Sequence, residues 1–475
     1  MDPGKSVLQE RRLTMRQARK TYQTLVGAIA TEVLDYTAGQ DIEMDACLVD
    51  ADCIGSAAHV TMLARLPGRP QLFSSSKCAK VVAELVRVMR GFRKGRLAIR
   101  VEDQDIHMAV ERMVTEKLGD LGRKMHTGRS RNDQAAVDLR LYSKEQLLQT
   151  MAETQALAGV LLQLAKVNVM VPMVGRTHMQ PAMPSSVGLW ASAYAESLLE
   201  DMVLLRSAYA LNNQCPLGSA AGYGVSLPID RAYVSRLLGF SRPLHNVFHA
   251  GNTRGKMEAI VLSSLSQVMI SLSRLAQDLL LFTMPEFNYM SLPPAMGTGS
   301  SIMPQKNNPD VLELVRARAA KSISLAGEVM HLVCGLPGGY NRDLQEAKGP
   351  LLNGFYMAGS TLRIMVPLIR GLRMNRAALL AGFSPGVFAA DAALELVGQG
   401  VSFRDAYRQV KQRLPELERM DPHQVIARKR HLGASAGLDF RLLAERIRVE
   451  RRFVRQETRR YYRTISRLLG VTYPL

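Results

Sequence analysis

Cysteine is scarce in this sequence, with five residues among 475. The five are odd in number, dispersed, and without Cys-x-x-Cys spacing: Cys47, Cys53, Cys78, Cys215 and Cys334. A disulfide framework needs paired cysteines and a structural zinc site needs closely spaced ligands, so the pattern argues against both. We therefore expect a reducing, cytoplasmic compartment, no metal ion and no organic cofactor.

Aromatic residues are also few, at 6% of the chain with a single tryptophan. Unbranched side chains suit helices and aromatic or β-branched ones suit sheets, so the composition favours helices. Long apolar runs are lacking as well. The longest charge-free helical stretch, Ala259 to Ser273, carries five serines and is shorter than the roughly 18 residues of a membrane span. The first 20 residues are charged and have no apolar segment typical of a secretory signal, so we expect no membrane partner.

Acidic residues are outnumbered, with 42 Asp and Glu against 61 Lys and Arg, which gives a net charge of +19. Ten arginines and three glutamates lie between Arg441 and Arg467, interleaved with apolar residues at helical spacing. Nucleic-acid binding would need stacking aromatics or a binding motif, and only Tyr461 and Tyr462 qualify. We therefore expect no nucleic-acid partner. A basic face that concentrates an anionic substrate is the simpler interpretation.

Long helical patterns dominate the middle of the chain. They cover Asp133–Val169, 185–212, Met257–Thr283, and about Asp310 towards Val333. The third is small or apolar almost all round, which predicts burial on every side and is easier to satisfy in an oligomer. These patterns divide the chain into an N-terminal helical domain at 1–130, a central long-helix bundle with the catalytic loop at 131–368, and a small C-terminal helical domain at 369–475.

The segment Met296–Asp310 reads MGTGSSIMPQKNNPD and concentrates chemistry in one loop. Two glycines allow backbone N–H groups to approach an anion, while Ser300, Ser301, Lys306 and Asn308 supply hydroxyls, a cation and an amide. Such a loop suits stabilising a carboxylate whose charge grows as a neighbouring carbon loses a proton. The alternative is a polar turn between two long helices, which seldom combines these residue types.

The core of this loop, GSSIMPQKNNP, resembles the signature loop of the fumarase/aspartase superfamily. The segments HTGRSRNDQAAVDLRLY at 126–142 and GRTHMQPAMP at 175–184 resemble hallmarks of the argininosuccinate lyase family. Further matches in the same order are CPLGSAAGYGVSLPIDR at 215–231 and GLPGGYNRDLQEAKGP at 335–350. The resemblance implies an all-α, three-domain fumarase/aspartase-like fold. It also implies that the long central helices form the core of a homotetramer whose active sites are shared between subunits.

The resemblance further implies the site residues, beginning with a catalytic set of Ser300, His178, Glu313 and Lys306. Ser300 would remove the β-proton as an alkoxide stabilised by Lys306, and His178 would protonate the departing nitrogen while Glu313 orients it. The residues alone leave open which of Ser300 and His178 is the base. The implied substrate-binding residues are Ser130, Arg131, Asn132, Thr177, Ser301, Asn308, Tyr340, Gln345 and Lys348, the last three on the amine-bearing half.

Each assignment has a structural alternative. His178 alone could be a core histidine, and Glu313 could merely pair with Arg316 on the same helix. The charged residues around Ser130 could form only a surface salt-bridge cluster: Arg129, Arg131 and Asp133. We interpret Asp105 and His107 as supporting or structural residues.

Three departures from the family pattern affect recognition of the amine. The first 40 residues lack the usual Gly-Gly-Arg-Phe segment, Arg254-Gly255 replaces an Arg-Asp pair, and Arg176 stands where an aromatic residue is common. The catalytic set is intact, so the resemblance implies a C–N lyase that releases fumarate from an N-substituted aspartate by anti β-elimination. The default substrate is the dicarboxylate argininosuccinate, cleaved to arginine and fumarate. The alternatives are another N-succinyl amine, such as an aminopolycarboxylate or a specialised-pathway intermediate, or a non-enzymatic structural homologue.

Overall fold

The computed structural model describes residues 21–24, 27–39, 41–67 and 71–475. This part of the chain is built of helices and confirms the predicted all-α fold. In chain order the helices are α1 (Thr31–Ala38), α2 (Asp41–Asp45), α3 (Val49–Leu63), α4 (Ser75–Arg93), α5 (Ile106–Leu118), α6 (Asp120–Lys124), α7 (Arg131–Val167), α8 (Val187–Asn212), α9 (Arg231–Leu237), α10 (Val247–Asn252), α11 (Lys256–Thr283), α12 (Asp310–Val333), α13 (Lys348–Arg370), α14 (Arg376–Ala381), α15 (Ala389–Gly398), α16 (Phe403–Gln412), α17 (Pro422–Arg428) and α18 (Phe440–Leu469).

Short strands form five two-stranded ribbons at the helix connections. They are β1 (Thr21–Thr24) with β2 (Gly27–Ala30), β3 (Pro172–Thr177) with β4 (Gln180–Ser186), β5 (Gln214–Cys215) with β6 (Arg242–Pro243), β7 (Met290–Ser291) with β10 (Arg373–Met374), and β8 (Thr298–Gly299) with β9 (Asn307–Asn308). All pair antiparallel except β5 and β6, which run parallel. Two of these ribbons, β3–β4 and β8–β9, carry predicted catalytic residues.

Five long helices, α7, α8, α11, α12 and α13, pack together around the largest hydrophobic core. The four predicted long spans agree with α7, α8, α11 and α12 to within two residues at each end. The exposed residues of α11 are Lys256, Gln267 and Arg274 alone, so this helix is buried on nearly every side within one chain. The prediction from its apolar pattern is confirmed.

The C-terminal helix α18 joins two cores of the molecule. Its apolar stripe begins with Leu443, Ile447 and Val454 in the central core and continues with Tyr461 and Ile465 in a second core formed with α3, α4 and α5. The predicted amphipathic helix is therefore confirmed, with most of its arginines on the exposed face. A third, small core around α15 and α16 holds Ala393, Ala406 and Val410.

Two helical stretches of the described chain are long and apolar enough to cross a membrane by length and composition. They are Asp41–Leu63 and Lys256–Thr283, and 78% and 67% of their most apolar windows are buried inside the protein. Core helices of globular proteins pass the same test, so the two stretches are weak evidence for a span.

Candidate active site

The N-terminus of α7 carries the first predicted binding residues. Ser130 is the N-cap: its Oγ accepts a hydrogen bond from the N–H of Asn132 at 3.3 Å, and its own N–H donates to the Asp133 carboxylate at 3.0 Å. This reciprocal capping box fixes where the helix begins. A helix N-terminus attracts anions through its free N–H groups and its dipole, so the position suits a substrate carboxylate.

Asp133 also connects this helix to a second matched segment. The carboxylate of Asp133 accepts hydrogen bonds from the N–H groups of Gly218 and Ala220, both at 2.9 Å. Burial raises the pKa of Asp133, while the donated N–H groups and Arg129 favour the charged form. Arg129 and Asp133 are both buried, so the interpretation of this segment as a surface salt-bridge cluster is wrong.

A cavity of about 180 Å³ brings five distant sequence segments together. Five predicted substrate-binding residues line it: Arg131, Asn132, Tyr340, Gln345 and Lys348. Arg254, Asp105 and His107 line it too, together with Asp41 and Asp45, which sequence reasoning missed. The pair of aspartates one helical turn apart in DIEMD was the available signal, although it carries no meaning without the fold.

Lys348 lies between these two aspartates. Its Nζ donates to Asp41 Oδ1 at 2.7 Å and forms a second ion pair with Asp45, and all three side chains are buried. Burial alone would lower the pKa of Lys348, but the charges of Asp45 and Asp41 outweigh it and raise that pKa above its usual value. Burial also raises the pKa of Asp45, which Lys348 only partly offsets. Lys348 is thus held as a cation on the cavity wall.

Gln345 and Tyr340 differ in how firmly the surrounding protein holds their side chains. Gln345 Nε2 and Arg342 Nη2 both donate to the carbonyl oxygen of Thr37 at 2.9 Å, which anchors this segment to the end of α1. Tyr340 is 42% exposed, and the guanidinium of Arg254 lies 5.8 Å from its ring centroid. Gln345 is therefore fixed by the fold, whereas Tyr340 has a face open to a ligand.

The Arg254-Gly255 pair has a packing reason. Gly255 precedes α11 with φ of +72°, and a Cβ placed on it would lie 2.1 Å from Cγ1 of Val333 and 3.0 Å from Leu344. A larger residue would require the Val333 side chain to shift, and the positive φ disfavours any residue with a Cβ. Arg254 is buried, donates to the carbonyl oxygen of Leu344 at 3.3 Å, and leaves its Nε without a partner among the described residues.

His107 stands behind the cavity in a buried charge cluster. Its Nδ1 lies 2.6 Å from Asp52 and 3.4 Å from Asp138. Burial lowers the pKa of His107, but Asp105 and the two partner carboxylates outweigh it and raise the value to about 9. The three ligand atoms lie within 4.8 Å of one another, a geometry that could hold a cation, although protonated His107 supplies positive charge there itself.

The predicted catalytic loop is an exposed ribbon. Thr298 pairs with Asn308 and Gly299 with Asn307, so Ser300 and Lys306 lie on opposite sides of the loop that β8 and β9 close. Ser300 Oγ accepts hydrogen bonds from the N–H groups of Met303 at 3.1 Å and Ile302 at 3.3 Å. Backbone donors aimed at this oxygen stabilise negative charge on it, as the alkoxide role requires. Ser301 and Lys306 are exposed, and Asn308 is half-buried.

Glu313 lies in the first turn of α12 and is exposed. The alternative in which Glu313 merely pairs with Arg316 is not found: Arg316 donates to Gln277 Oε1 at 2.7 Å instead. Within the described part of the chain Glu313 makes no ion pair. It is therefore available to orient another group.

His178 occupies the tip of the β3–β4 hairpin. Thr177 pairs with Gln180, which leaves His178 and Met179 as a two-residue turn with φ of 51° and 62°. Thr177 and His178 are exposed, so the interpretation of His178 as a core histidine is wrong. Arg176 braces the turn by donating to the Met179 carbonyl at 3.3 Å, and its guanidinium lies 4.8 Å from the Phe287 ring centroid.

The predicted catalytic and binding residues thus form three groups in one chain. The first is the cavity with Asn132 and Lys348, the second is the hairpin with His178, and the third is the loop with Ser300. No hydrogen bond or ion pair between described residues joins these groups.

Comparison with known proteins identifies the family. A family model described as lyase matches residues 39–323. The argininosuccinate lyase of Sorangium cellulosum is 41% identical over 421 residues, which cover 89% of this chain and 97% of that enzyme. The chain belongs to the argininosuccinate lyase family. The argininosuccinate lyase of Phocaeicola vulgatus is 41% identical over 80% of this chain and 84% of its own length.

Solved structures support the fold of this argininosuccinate lyase family member. An EDDS lyase in complex with formate matches with a TM-score of 0.77 at 21% identity, covering 90% of this chain and 93% of that one. A class II fumarase from Schistosoma mansoni matches with a TM-score of 0.69 at 16% identity, covering 85% and 98%. The predicted fumarase/aspartase-like fold is confirmed, and the chain is a carbon–nitrogen lyase of the argininosuccinate lyase type.

Proposed function

We propose that the protein cleaves argininosuccinate to arginine and fumarate by anti β-elimination, as in arginine biosynthesis. The observation that carries the proposal is the cavity that joins the N-terminus of α7 to Tyr340, Gln345 and Lys348. One end of this cavity suits a carboxylate and the other suits a nitrogen-rich group. The likeness to argininosuccinate lyases over most of the chain supports the same substrate.

The succinyl half requires groups that stabilise growing negative charge. In our proposal the N–H groups at the start of α7, with Ser130 and Asn132, bind one carboxylate. Thr177, Ser301, Asn308 and Lys306 contribute to binding the other. As the β-proton leaves, charge spreads into the adjacent carboxylate, and donors already in place lower the barrier because they need no reorganisation.

Ser300 removes the β-proton in this proposal. A serine hydroxyl is a weak base, so it needs the two backbone donors to Ser300 Oγ and, in this proposal, the charge of Lys306 from the same loop. His178 protonates the departing nitrogen, and Glu313 fixes its tautomer. The elimination is redox-neutral: the electrons of the Cβ–H bond form the C=C bond of fumarate, and those of the Cα–N bond leave with the nitrogen, which takes a proton from His178. The proposal includes no metal ion and no organic cofactor.

The amine half contacts Tyr340, Gln345 and Lys348 in the proposal. Gln345 Nε2 is taken by Thr37, which leaves its carbonyl oxygen to accept a hydrogen bond from a guanidinium. Lys348 is held by Asp41 and Asp45, so the three together carry one net negative charge when all are ionised. A cationic leaving group is compatible with that charge.

We infer that the active enzyme is a homotetramer whose sites are shared between subunits. Exposed apolar side chains occur along the long helices of the bundle, including Val203 at 58% exposure on α8, Ile323 on α12 and Tyr356 at 64% on α13. Such residues are typical of an oligomer interface. Assembly would also bring the hairpin of one subunit, the loop of a second and the cavity of a third together, although one chain keeps them apart.

A second substrate class follows from the altered recognition set. The Gly-Gly-Arg-Phe segment is missing, and a compensating arginine among residues 1–20 would lie outside the described residues. Arg254 is tied to Leu344, and Arg176 is used to brace the hairpin. These observations favour another N-substituted aspartate as the alternative substrate. A non-enzymatic role is disfavoured because Ser300, His178, Glu313 and Lys306 are all present.

The test is fumarate release, followed by ultraviolet absorbance, across a panel of N-substituted aspartates that includes argininosuccinate. A companion test is rescue of an arginine auxotroph that lacks its own lyase, with a Ser300→Ala variant as control. Rescue would also fit the cytoplasmic location that we propose from the absence of disulfides, since all five cysteines are free. Failure to rescue, with fumarate released from another substrate, would establish the alternative.

A further inference from the structure

A second cavity, of about 310 Å³, lies next to the candidate active site, and the segment 41–47 contributes to the walls of both. Asp41 and Asp45 line the first cavity, whereas Ala46 and Cys47 line the second. Its remaining wall comes from α3, the end of α4, α7, Tyr461 of α18, and Tyr473. None of the residues assigned above to catalysis or substrate binding lines it.

The charges of this second cavity do not balance. Arg93 is engaged by Asp50 and by the carbonyl oxygen of Leu475, the latter at 2.5 Å. Glu145 accepts a hydrogen bond from the Tyr473 hydroxyl at 2.8 Å, and no ion pair between described residues reaches it. When both carboxylates are ionised, the cavity holds one uncompensated negative charge inside a protein whose net charge is +19.

The groups around Glu145 suit an organic cation. Four aromatic residues line the same space as Glu145, namely Phe92, Tyr142, Tyr461 and Tyr473, so a cation paired with Glu145 would lie close to an aromatic ring. The volume is at the lower end of the range for small-molecule sites and accommodates a ligand of amino-acid size. A hydrated metal ion would gain little from four aromatic rings.

We propose that this cavity binds a small organic cation bearing a guanidinium or ammonium group, paired with Glu145. The amine product of the proposed reaction belongs to this class, and only that identification rests on the proposed function. The ligand would touch Cys47, two residues from Asp45, so it would contact the segment that holds Lys348.

Isothermal titration calorimetry with L-arginine tests the proposal without turnover. Gln345→Ala weakens binding at the candidate active site and should leave cavity binding in place. In that background, Glu145→Gln should weaken L-arginine binding about tenfold to a hundredfold, because a hydrogen bond between charged groups is lost. The matched control is Glu43→Gln, an exposed glutamate that lines neither cavity. Equal affinity in the Glu145→Gln and Glu43→Gln proteins would overturn the proposal.

The pH dependence of L-arginine binding gives an independent test. Burial raises the pKa of Glu145 to about 7, and the charge of Asp50 acts in the same direction. Tyr473, Tyr461 and Arg93 lower this pKa but do not outweigh the burial. The cation pairs with the ionised carboxylate, so affinity should rise about tenfold between pH 6 and pH 8 in the wild type. A flat profile would contradict the assignment of Glu145 as the partner.

Alkylation of native cysteines needs no variant and so avoids any loss of folding. Cys47 and Cys334 are both exposed, but only Cys47 lines the cavity. L-arginine should slow alkylation of Cys47 by iodoacetamide, read by mass spectrometry, and leave Cys334 unchanged. L-citrulline, whose ureido side chain carries no charge, keeps only the α-ammonium group and should protect Cys47 less than L-arginine does. Unchanged Cys47 labelling at saturating L-arginine, or equal protection by L-citrulline, would refute the proposal.

Discussion

Replacing Lys348 with methionine should destabilise the protein and expose the electrostatics of the candidate site. Lys348 is buried between Asp41 and Asp45, with one ion pair at 2.7 Å. Methionine keeps much of the volume and removes the charge, which leaves two carboxylates in a small buried space. Breaking a buried pair by removing one partner costs about 3–5 kcal/mol. We expect a loss of that size in the free energy of unfolding at pH 7.

The pH dependence of this loss follows from proton binding. Lys348 lowers the pKa of Asp45 and burial raises it, so without Lys348 this pKa should rise further above that of the unfolded chain. The folded variant then binds more protons than the unfolded one. Its stability should therefore fall as the pH rises, and the difference from the wild type should shrink as the pH drops towards 4. Burial already raises the pKa of Asp45 in the presence of the lysine, which agrees with this direction.

The assay is denaturant unfolding at fixed protein concentration, since oligomer stability depends on concentration. Lys321→Met, on an exposed position of α12, is the control and should change the free energy by less than about 0.5 kcal/mol. Adding Asp45→Asn to the Lys348→Met protein should restore part of the loss. A Lys348→Met protein within about 1 kcal/mol of the wild type, with no added pH dependence, would refute this account of the ion-paired cluster.

Three further predictions concern catalysis, assembly and packing. Ser300→Ala should lower turnover by several orders of magnitude while substrate still binds, and Ser301→Ala serves as the comparison. A Ser300→Ala protein that retains more than a tenth of the wild-type rate, about 1.4 kcal/mol in barrier, would show that Ser300 is not the base. Mixing inactive Ser300→Ala and His178→Asn proteins, followed by dissociation and reassembly, should restore partial activity through hybrid sites. A stable, active monomer in light scattering would contradict shared sites. Gly255→Ala should lower the free energy of unfolding by about 2–4 kcal/mol, measured with denaturant, because its Cβ would lie 2.1 Å from Val333 and φ is positive. The control is Gly251→Ala, which has open space around it and should be close to neutral or stabilising.

Local patterns predicted the helices because the signals that define a helix lie within it. The apolar period predicted the length of α7, although the helix begins at Arg131, two residues before the predicted start, because Ser130 caps it. The interior character of α11 followed from its composition in the same way. Such features depend on residues that are close in sequence, and they required no knowledge of the tertiary fold.

The cavity could not be predicted in this way. Lys348 meets Asp41 and Asp45 across about 300 residues of chain, and no periodicity connects them. The Gly255 position needed knowledge of Val333 on a different helix. His178 was assigned from the family motif, yet its exposed place at a hairpin tip follows only from the register of β3 and β4. Contacts between subunits lie beyond a single chain altogether.

Asp133 restricts how this scaffold can be redesigned. Its carboxylate accepts hydrogen bonds from the start of α7 and from the loop at Gly218 and Ala220. One side chain therefore links two segments separated by about 85 residues. A chimera that imports a relative's 126–142 segment without its 215–231 segment would combine a helix start and a loop adjusted to different partners. Exchange of substrate preference among these lyases should therefore succeed when both segments are transferred as one unit.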